Sequence, residues 1–187
     1  MKIILTLLLL ALVCVNSQLI NYTPYNEDCT SIVDGVGFGL LPFTCLLNTT
    51  TESIYSFDLY DQPYVNISSS HTGYCDDPVS TQIFKLDSCG YYKYSKTNYY
   101  VYQSNQPEVP ANSYIYEQYD STCETRQSYW YATNGTVVVD YKQNFSTTYL
   151  CISNQPFTNV CTDGKCVLTP VKTSCENSNG IIITCTV

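Results

Sequence analysis

The chain is poor in positive charge, imidazole, indole and methionine. Its 187 residues hold 8 Lys and Arg together, one His, one Trp and one Met. Against 16 Asp and Glu this leaves a formal net charge of −8. A nucleic-acid binder needs clustered Lys and Arg to displace counterions from phosphates, so that class is excluded. Docking on anionic lipid is excluded for the same reason. One His, at His71, confines imidazole chemistry to one position. It sits in the polar stretch Ser68 to Gly73 beside a sequon and reads as a solvated loop residue. No Gly-X-Ser-X-Gly elbow is present. Beyond residues 1–17 no long run carries apolar residues at i, i+3, i+4 and i+7, which argues against amphipathic helices.

Long apolar runs are confined to the first residues. Lys2 precedes an apolar stretch from Ile3 to Val15, and Val15-Asn16-Ser17 offers a small-residue cleavage site. The stretch of 13 residues is short of the roughly 20 that span a bilayer. Residues 1–17 therefore read as a secretory signal peptide, with a secreted protein beginning at Gln18 and no membrane span after its removal.

Cysteine is abundant. Beyond Cys14 in the signal, ten remain: Cys29, Cys45, Cys75, Cys89, Cys123, Cys151, Cys161, Cys166, Cys175 and Cys185. An even count in an exported chain is a disulfide framework, and no metal or other cofactor is expected. Asp163-Gly164 is a type I′ hairpin signal. With that loop, Cys161 and Cys166 fall on a non-hydrogen-bonded cross-strand pair, close enough to be bonded. Nearest-neighbour pairing gives Cys29–Cys45, Cys75–Cys89, Cys123–Cys151 and Cys175–Cys185 for the others. Five Asn-X-Ser/Thr sequons, at Asn21, Asn48, Asn66, Asn134 and Asn144, are candidate glycan sites and hence surface positions.

Tyr, Val, Ile, Thr and Phe dominate the strand-like segments, which suits a pleated, half-buried surface. Ile54 to Tyr60, Ser113 to Tyr119 and Gln127 to Ala132 read as strands. Thr136 to Tyr141 and Ile181 to Thr186 look like core strands. Asn134-Gly135 is a second hairpin signal, and Gln103 to Asn112, with two Pro, is the best connector. Tyr25 to Cys29 is echoed at His71 to Cys75 and Tyr119 to Cys123, with cysteine steps of 46 and 48 residues. The expected fold is an all-β, disulfide-stapled sandwich or barrel, with three loose repeats of about 47 residues. Residues 18–150 form the β-rich domain, and a small cysteine-rich C-terminal subdomain, residues 151–187, packs on it.

The nineteen tyrosines are the distinctive feature. Aromatic rings can stack on the apolar faces of sugars while their polar edges form hydrogen bonds. Tyr129, Trp130 and Tyr131 are the expected binding patch, with alternate rings facing opposite ways. The function expected is non-enzymatic recognition of extracellular glycans or cell-surface proteins. A matrix or coat component with cross-linked tyrosines is the alternative. A secreted hydrolase using carboxylates alone is the second, although the acidic pairs Glu27-Asp28 and Asp76-Asp77 stand at turns and make no natural dyad. A calcium site at Asp58, Asp61 or Asp76 lacks an established ligand spacing.

Overall fold

The computed structural model describes residues 18–48, 53–60, 63–70, 80–93, 95–140, 144–175 and 179–187. Side chains within 45–60, at 69–70 and at 140 are outside the description. The predicted signal, His71, Cys75, Asp61, Asp76 and Asp77 all lie outside the described residues.

Among the described residues the fold is made of fifteen strands, and no α-helix is formed. The first half of the chain runs through β1 (Leu19–Tyr25), β2 (Val36–Leu40), β3 (Cys45–Asn48), β4 (Ser53–Tyr60), β5 (Tyr64–Ser70), β6 (Ser80–Lys85), β7 (Ser88–Tyr92) and β8 (Thr97–Ser104). The second half contains β9 (Ser113–Tyr119), β10 (Arg126–Thr133), β11 (Val137–Asp140), β12 (Phe145–Ile152), β13 (Gln155–Thr162), β14 (Lys165–Pro170) and β15 (Ile181–Cys185). A seven-stranded sheet has the order β15-β9-β10-β2-β1-β8-β7. Two four-stranded sheets, β3-β4-β5-β6 and β11-β12-β13-β14, form meanders. All strand pairs are antiparallel.

Both small sheets cover the same face of the large one, which makes a layered sandwich. Cross-strand partners share a face, so the register fixes which residues point inward. Ile20, Tyr22, Leu40, Tyr99 and Val101 from the large sheet pack with Val65, Ile67 and Phe84 from β5 and β6. Burial of each such aliphatic side chain is worth about 1.5–3 kcal/mol. Tyr22 stacks on Phe38 at 4.9 Å and meets Phe84 edge-on at 5.4 Å. At the other end, Tyr114 and Ala132 pack with Tyr149 and Cys151 of β12. Trp130 lies against Tyr114 and Tyr116 at 5.7 and 5.5 Å, with Tyr149 edge-on at 4.9 Å.

The chain traces one path twice. A hairpin, β1–β2 or β9–β10, feeds a four-stranded meander, and the chain then returns to place β8 beside β1 or β15 beside β9. The hairpin loops match. Asn26 N–H donates to Ser31 O and Cys29 N–H to Asn26 O, while Asp120 N–H donates to Thr125 O and Cys123 N–H to Asp120 O. Cys29 and Cys123 both take left-handed backbone, at φ 57° and 62°. Tyr22 opposes Phe38, Tyr116 opposes Trp130, and Phe38 opposes Trp130. A pseudo-twofold axis therefore passes through the Phe38–Trp130 pair. A threefold repeat is not seen: the first and third sequence echoes, 94 residues apart, mark these two hairpin loops, and the middle one, His71 to Cys75, lies outside the described residues. Residues 105–112 connect the two units, and Gln103 and Ser104 of the expected connector instead end β8.

The disulfides follow this plan. Cys29 bonds to Cys89, Cys123 to Cys175, Cys151 to Cys185 and Cys161 to Cys166. The hairpin pair Cys161–Cys166 is as expected, with Cα atoms 4.0 Å apart and left-handed Asp163 and Gly164 in the turn. The expected Cys29–Cys45, Cys75–Cys89, Cys123–Cys151 and Cys175–Cys185 pairs are replaced. Each loop cysteine reaches instead toward the segment before the returning strand, which sequence distance does not reveal.

Three further expectations change. The strand expected over Thr136 to Tyr141 appears as β11, Val137–Asp140, an edge rather than a core strand, because it ends the small sheet and leaves Val137 and Val139 exposed; Tyr141 lies outside the described residues. Ile181 to Thr186 likewise forms the half-buried edge strand β15. Asn134-Gly135 turns the chain from the large sheet into a small one; β11 pairs with β12, so no hairpin forms with β10. Within residues 151–187, β13 and β14 lie in the β11–β12 sheet and β15 lies in the large one.

Candidate functional site: a tyrosine-bearing face

The face of the large sheet turned away from both small sheets divides into a closed region and an open one. The closed region lies at the junction of the halves. Tyr129 and Tyr131 stand opposite Gly39 and Gly37. A Cβ at Gly39 would come within 2.3 Å of the Tyr129 ring, and one at Gly37 within 2.3 Å of Tyr131. The rings thus lie across space that only glycine leaves free. Tyr129 reaches β1, where its hydroxyl donates to Asn21 Oδ1 at 2.7 Å. The Asn21 amide donates to Leu19 O at 3.0 Å and Ser104 O at 3.2 Å. Val109 of the connector and Ile115 pack against this cluster. Arg126 clips the connector down, pairing with Glu117 at 2.6 Å, donating to Asn105 O at 2.8 Å and lying over the Tyr129 ring.

Two surface assignments are thereby corrected. Tyr129 and Tyr131 are 1% and 0% exposed, so they offer no binding patch. Trp130 faces the opposite way, half-buried among Tyr114, Tyr116 and Tyr149. Alternation placed Trp130 apart from its neighbours, but both faces of β10 are covered. Asn21, 0% exposed, is a hydrogen-bond hub rather than a surface position. Asn134 and Asn144 are exposed, and Asn66 is half-buried on β5. Asn48 lies on β3, its side chain outside the description.

The open region spans β1, β8 and β7. Thr23 pairs with Tyr100 and Asn21 with Tyr102, while Cys89 pairs with Tyr100 and Tyr91 with Asn98. Tyr25, Tyr91, Tyr100 and Tyr102 consequently share one face. Tyr25 and Tyr100 have ring centroids 5.5 Å apart, and Tyr100 and Tyr102 5.9 Å. Tyr25, Tyr100 and Tyr102 are partly exposed, and Tyr91 is 54% exposed. Partial desolvation pushes the Tyr25 phenol above its ordinary value, and Glu108, Tyr100 and Tyr102 add to the effect. The Tyr102 hydroxyl accepts the Glu108 N–H at 2.8 Å, which fixes the ring to the connector.

A shallow groove of about 290 Å³ lies between two loops and is lined by Ile32, Val33, Asp34, Glu108, Val109 and Pro110. Its walls are held. Asn98 donates to Asn26 O and Glu27 O, and the Cys29–Cys89 bond anchors the β1–β2 loop to β7. Rigid rings cost little conformational entropy when they engage a partner. Among the described residues no group of three His, Cys, Asp or Glu could hold a metal ion.

Tyr99-Tyr100-Val101-Tyr102 is as dense an aromatic run as Tyr129 to Tyr131, and the local pattern offers no means of choosing between them. The discriminating signal lies elsewhere in the chain, in Val36-Gly-Phe-Gly-Leu40, whose two glycines receive the buried rings.

Fold and face together define a disulfide-stapled, two-unit β protein with one aromatic face left open. The chain belongs to the counting factor-associated protein A/B/C family, whose model matches residues 1–187. No curated protein and no solved structure matches the chain. The four disulfides and the family point to an extracellular protein. No helix among the described residues is long and apolar enough to cross a membrane.

Proposed function

We propose that this is a secreted, non-enzymatic N-glycoprotein that recognises a glycan on an extracellular or cell-surface partner through Tyr25, Tyr91, Tyr100 and Tyr102. The observation that carries this reading is the row of partly exposed rings on one rigid face, beside a groove bordered by Asp34 and Glu108. Pyranose rings present an apolar face to stack on a phenol and hydroxyls to pair with carboxylates. The family's description names association with a counting factor. For this chain, that supports membership of an extracellular assembly in which the tyrosine face meets a glycosylated component.

The test is calorimetric titration of soluble oligosaccharides, chosen from a glycan array and from pull-down on insoluble polysaccharides. Saturable binding is expected, with Tyr100→Ala weakening it about tenfold, a loss of about 1.4 kcal/mol. Tyr64→Ala, on the small β3–β6 sheet, should leave it unchanged. No binding to any glycan would overturn the carbohydrate reading. Asp34 and Glu108 on one groove also support a second reading, a carboxylate-dependent hydrolase. Turnover of a bound oligosaccharide, lost in Glu108→Gln with binding retained, would favour that reading instead.

A further inference from the structure

We propose that Asn134 and Asn144 carry N-linked glycans in the folded protein, that Asn21 carries none, and that the large sheet's tyrosine-bearing face is therefore left free of sugar. The inference rests on the reading that the chain is exported through a glycosylating route. It adds a choice among sequons that the sequence treats alike.

The transfer joins C1 of the first sugar to an asparagine Nδ2. The bond broken is the one from that C1 to a lipid-linked pyrophosphate. The pyrophosphate leaves with the electron pair, and one amide proton goes to base. The product Nδ2 keeps a single N–H. An asparagine can carry the sugar within a finished fold only if it can give up one hydrogen and open on to solvent.

Asn134 meets both conditions. It is exposed at the turn between sheets, and its fold contact uses the oxygen, which accepts the Cys151 N–H at 2.8 Å. Its Nδ2 has no protein partner among the described residues. Asn144 is exposed at the turn before β12, and its Nδ2 donates once, to Asp163 Oδ1 at 3.1 Å. The one N–H left after transfer can keep that bond.

Asn21 fails both conditions. Its Nδ2 donates to Leu19 O and Ser104 O, and its Oδ1 accepts the Tyr129 hydroxyl, all without solvent exposure. A sugar there would remove a donor and force β1 away from the ring of Tyr129. Chains modified at Asn21 cannot complete this sheet.

The placement has a consequence for recognition. The four other sequons lie on or beside the two small sheets: Asn48 in β3, Asn66 in β5, Asn134 and Asn144 flanking β11. Asn21 is the one sequon on the outer face of the large sheet, and its amide is already in use.

The full chain secreted from a eukaryotic host would be treated with an amidase that releases N-glycans in ¹⁸O water. Each released site then becomes a labelled Asp, read by peptide mass spectrometry. Label at Asn134 and Asn144 with none at Asn21 is expected. Label at Asn21, or its absence at either of the other two, overturns the proposal. Asn134→Gln and Asn144→Gln should each remove one glycan from the intact mass. Thr23→Val, which destroys the Asn21 sequon while leaving Asn21 itself, should remove none. Loss of a glycan in that variant overturns the proposal even if peptide coverage is incomplete. A secreted chain with no glycan would also overturn it, while the oligosaccharide titration would still decide the tyrosine face independently.

Discussion

At positions equated by the pseudo-twofold, the first half carries Asn21, Thr23, Tyr100 and Tyr102, and the second carries Ile115, Glu117, Ile182 and Thr184. On the inward face the same positions agree in kind: Tyr22 with Tyr116, Phe38 with Trp130, Val101 with Ile183. The shared path is thus specified by the buried side, where packing density penalises any change in volume. The outer side was free to diverge, and only one half has kept an open row of tyrosines. The halves also diverge where they meet. Gly37 and Gly39 occupy the positions equivalent to Tyr129 and Tyr131, so each ring finds a vacancy in the opposite unit. Four rings could not fit there, and four glycines would leave the junction empty.

That junction gives the largest expected effect. Tyr129→Ala should cost about 5 kcal/mol, combining about 3–5 for an emptied aromatic site with about 1 for the unpaired Asn21 oxygen. Gly39→Tyr alone should be as damaging, since its Cβ already collides with the Tyr129 ring. The double variant Tyr129→Ala with Gly39→Tyr moves the ring to the other half and should recover at least 2 kcal/mol of the summed losses. Denaturant unfolding of the four proteins closes the cycle. Additive losses would mean that the two positions do not complement one another.

The paired loops make the next comparison. Cys29–Cys89 and Cys123–Cys175 have sequence separations of 60 and 52 residues. Loop-closure entropy assigns each about 4 kcal/mol, and only about 2 to Cys161–Cys166 across 5 residues. Replacing each pair by serine should therefore give two nearly equal destabilisations and one of about half the size, with the remaining bridges intact in the last variant. A gap above about 2 kcal/mol between the first two would show that the halves depend unequally on their clamps.

How far the sequence displays this design depends on the range of the interaction. Ser113 to Tyr119 is readable to the residue because Tyr114 and Tyr116 alternate with Ser113, Ile115 and Glu117. Cys161–Cys166 is readable because one turn sets its register. The turn at Ser153-Asn154 escapes notice: both residues take left-handed backbone without a glycine to announce them. The Cys29–Cys89 and Cys123–Cys175 bonds are hidden because strands 60 or 52 residues apart must first find their places in a sheet. The open face is hidden for a related reason. Alternation separates Trp130 from Tyr129 and Tyr131, but the cover over each face comes from β2, β12 and the connector. Asn21 shows the limit most sharply, since the local sequon pattern carries no information about a hydroxyl donated from Tyr129.

The smallest effect compares buried phenols in the two halves. Burial pushes the Tyr22 phenol of the first half well above its ordinary value, with Tyr92 adding to the shift. Burial does the same for Tyr114, Tyr129 and Tyr131 of the second half. Above pH 10 the unfolded chain releases these protons while the folded chain keeps them. The unfolded state then binds fewer protons, so stability falls as pH rises, and the contribution is fully present below pH 10. Each phenol held neutral contributes a slope of about 1.4 kcal/mol per pH unit. Tyr22→Phe and Tyr129→Phe should each reduce the stability lost between pH 10 and 11 by about 1 kcal/mol, since the unfolded phenol is only half ionised at pH 10, as measured by urea unfolding. Tyr129→Phe carries an added, pH-independent loss from its bond to Asn21, which Tyr22→Phe does not share through that residue. An unchanged slope in either variant would mean that the corresponding ring ionises within the folded protein, and that its half of the sheet opens to water before the chain unfolds.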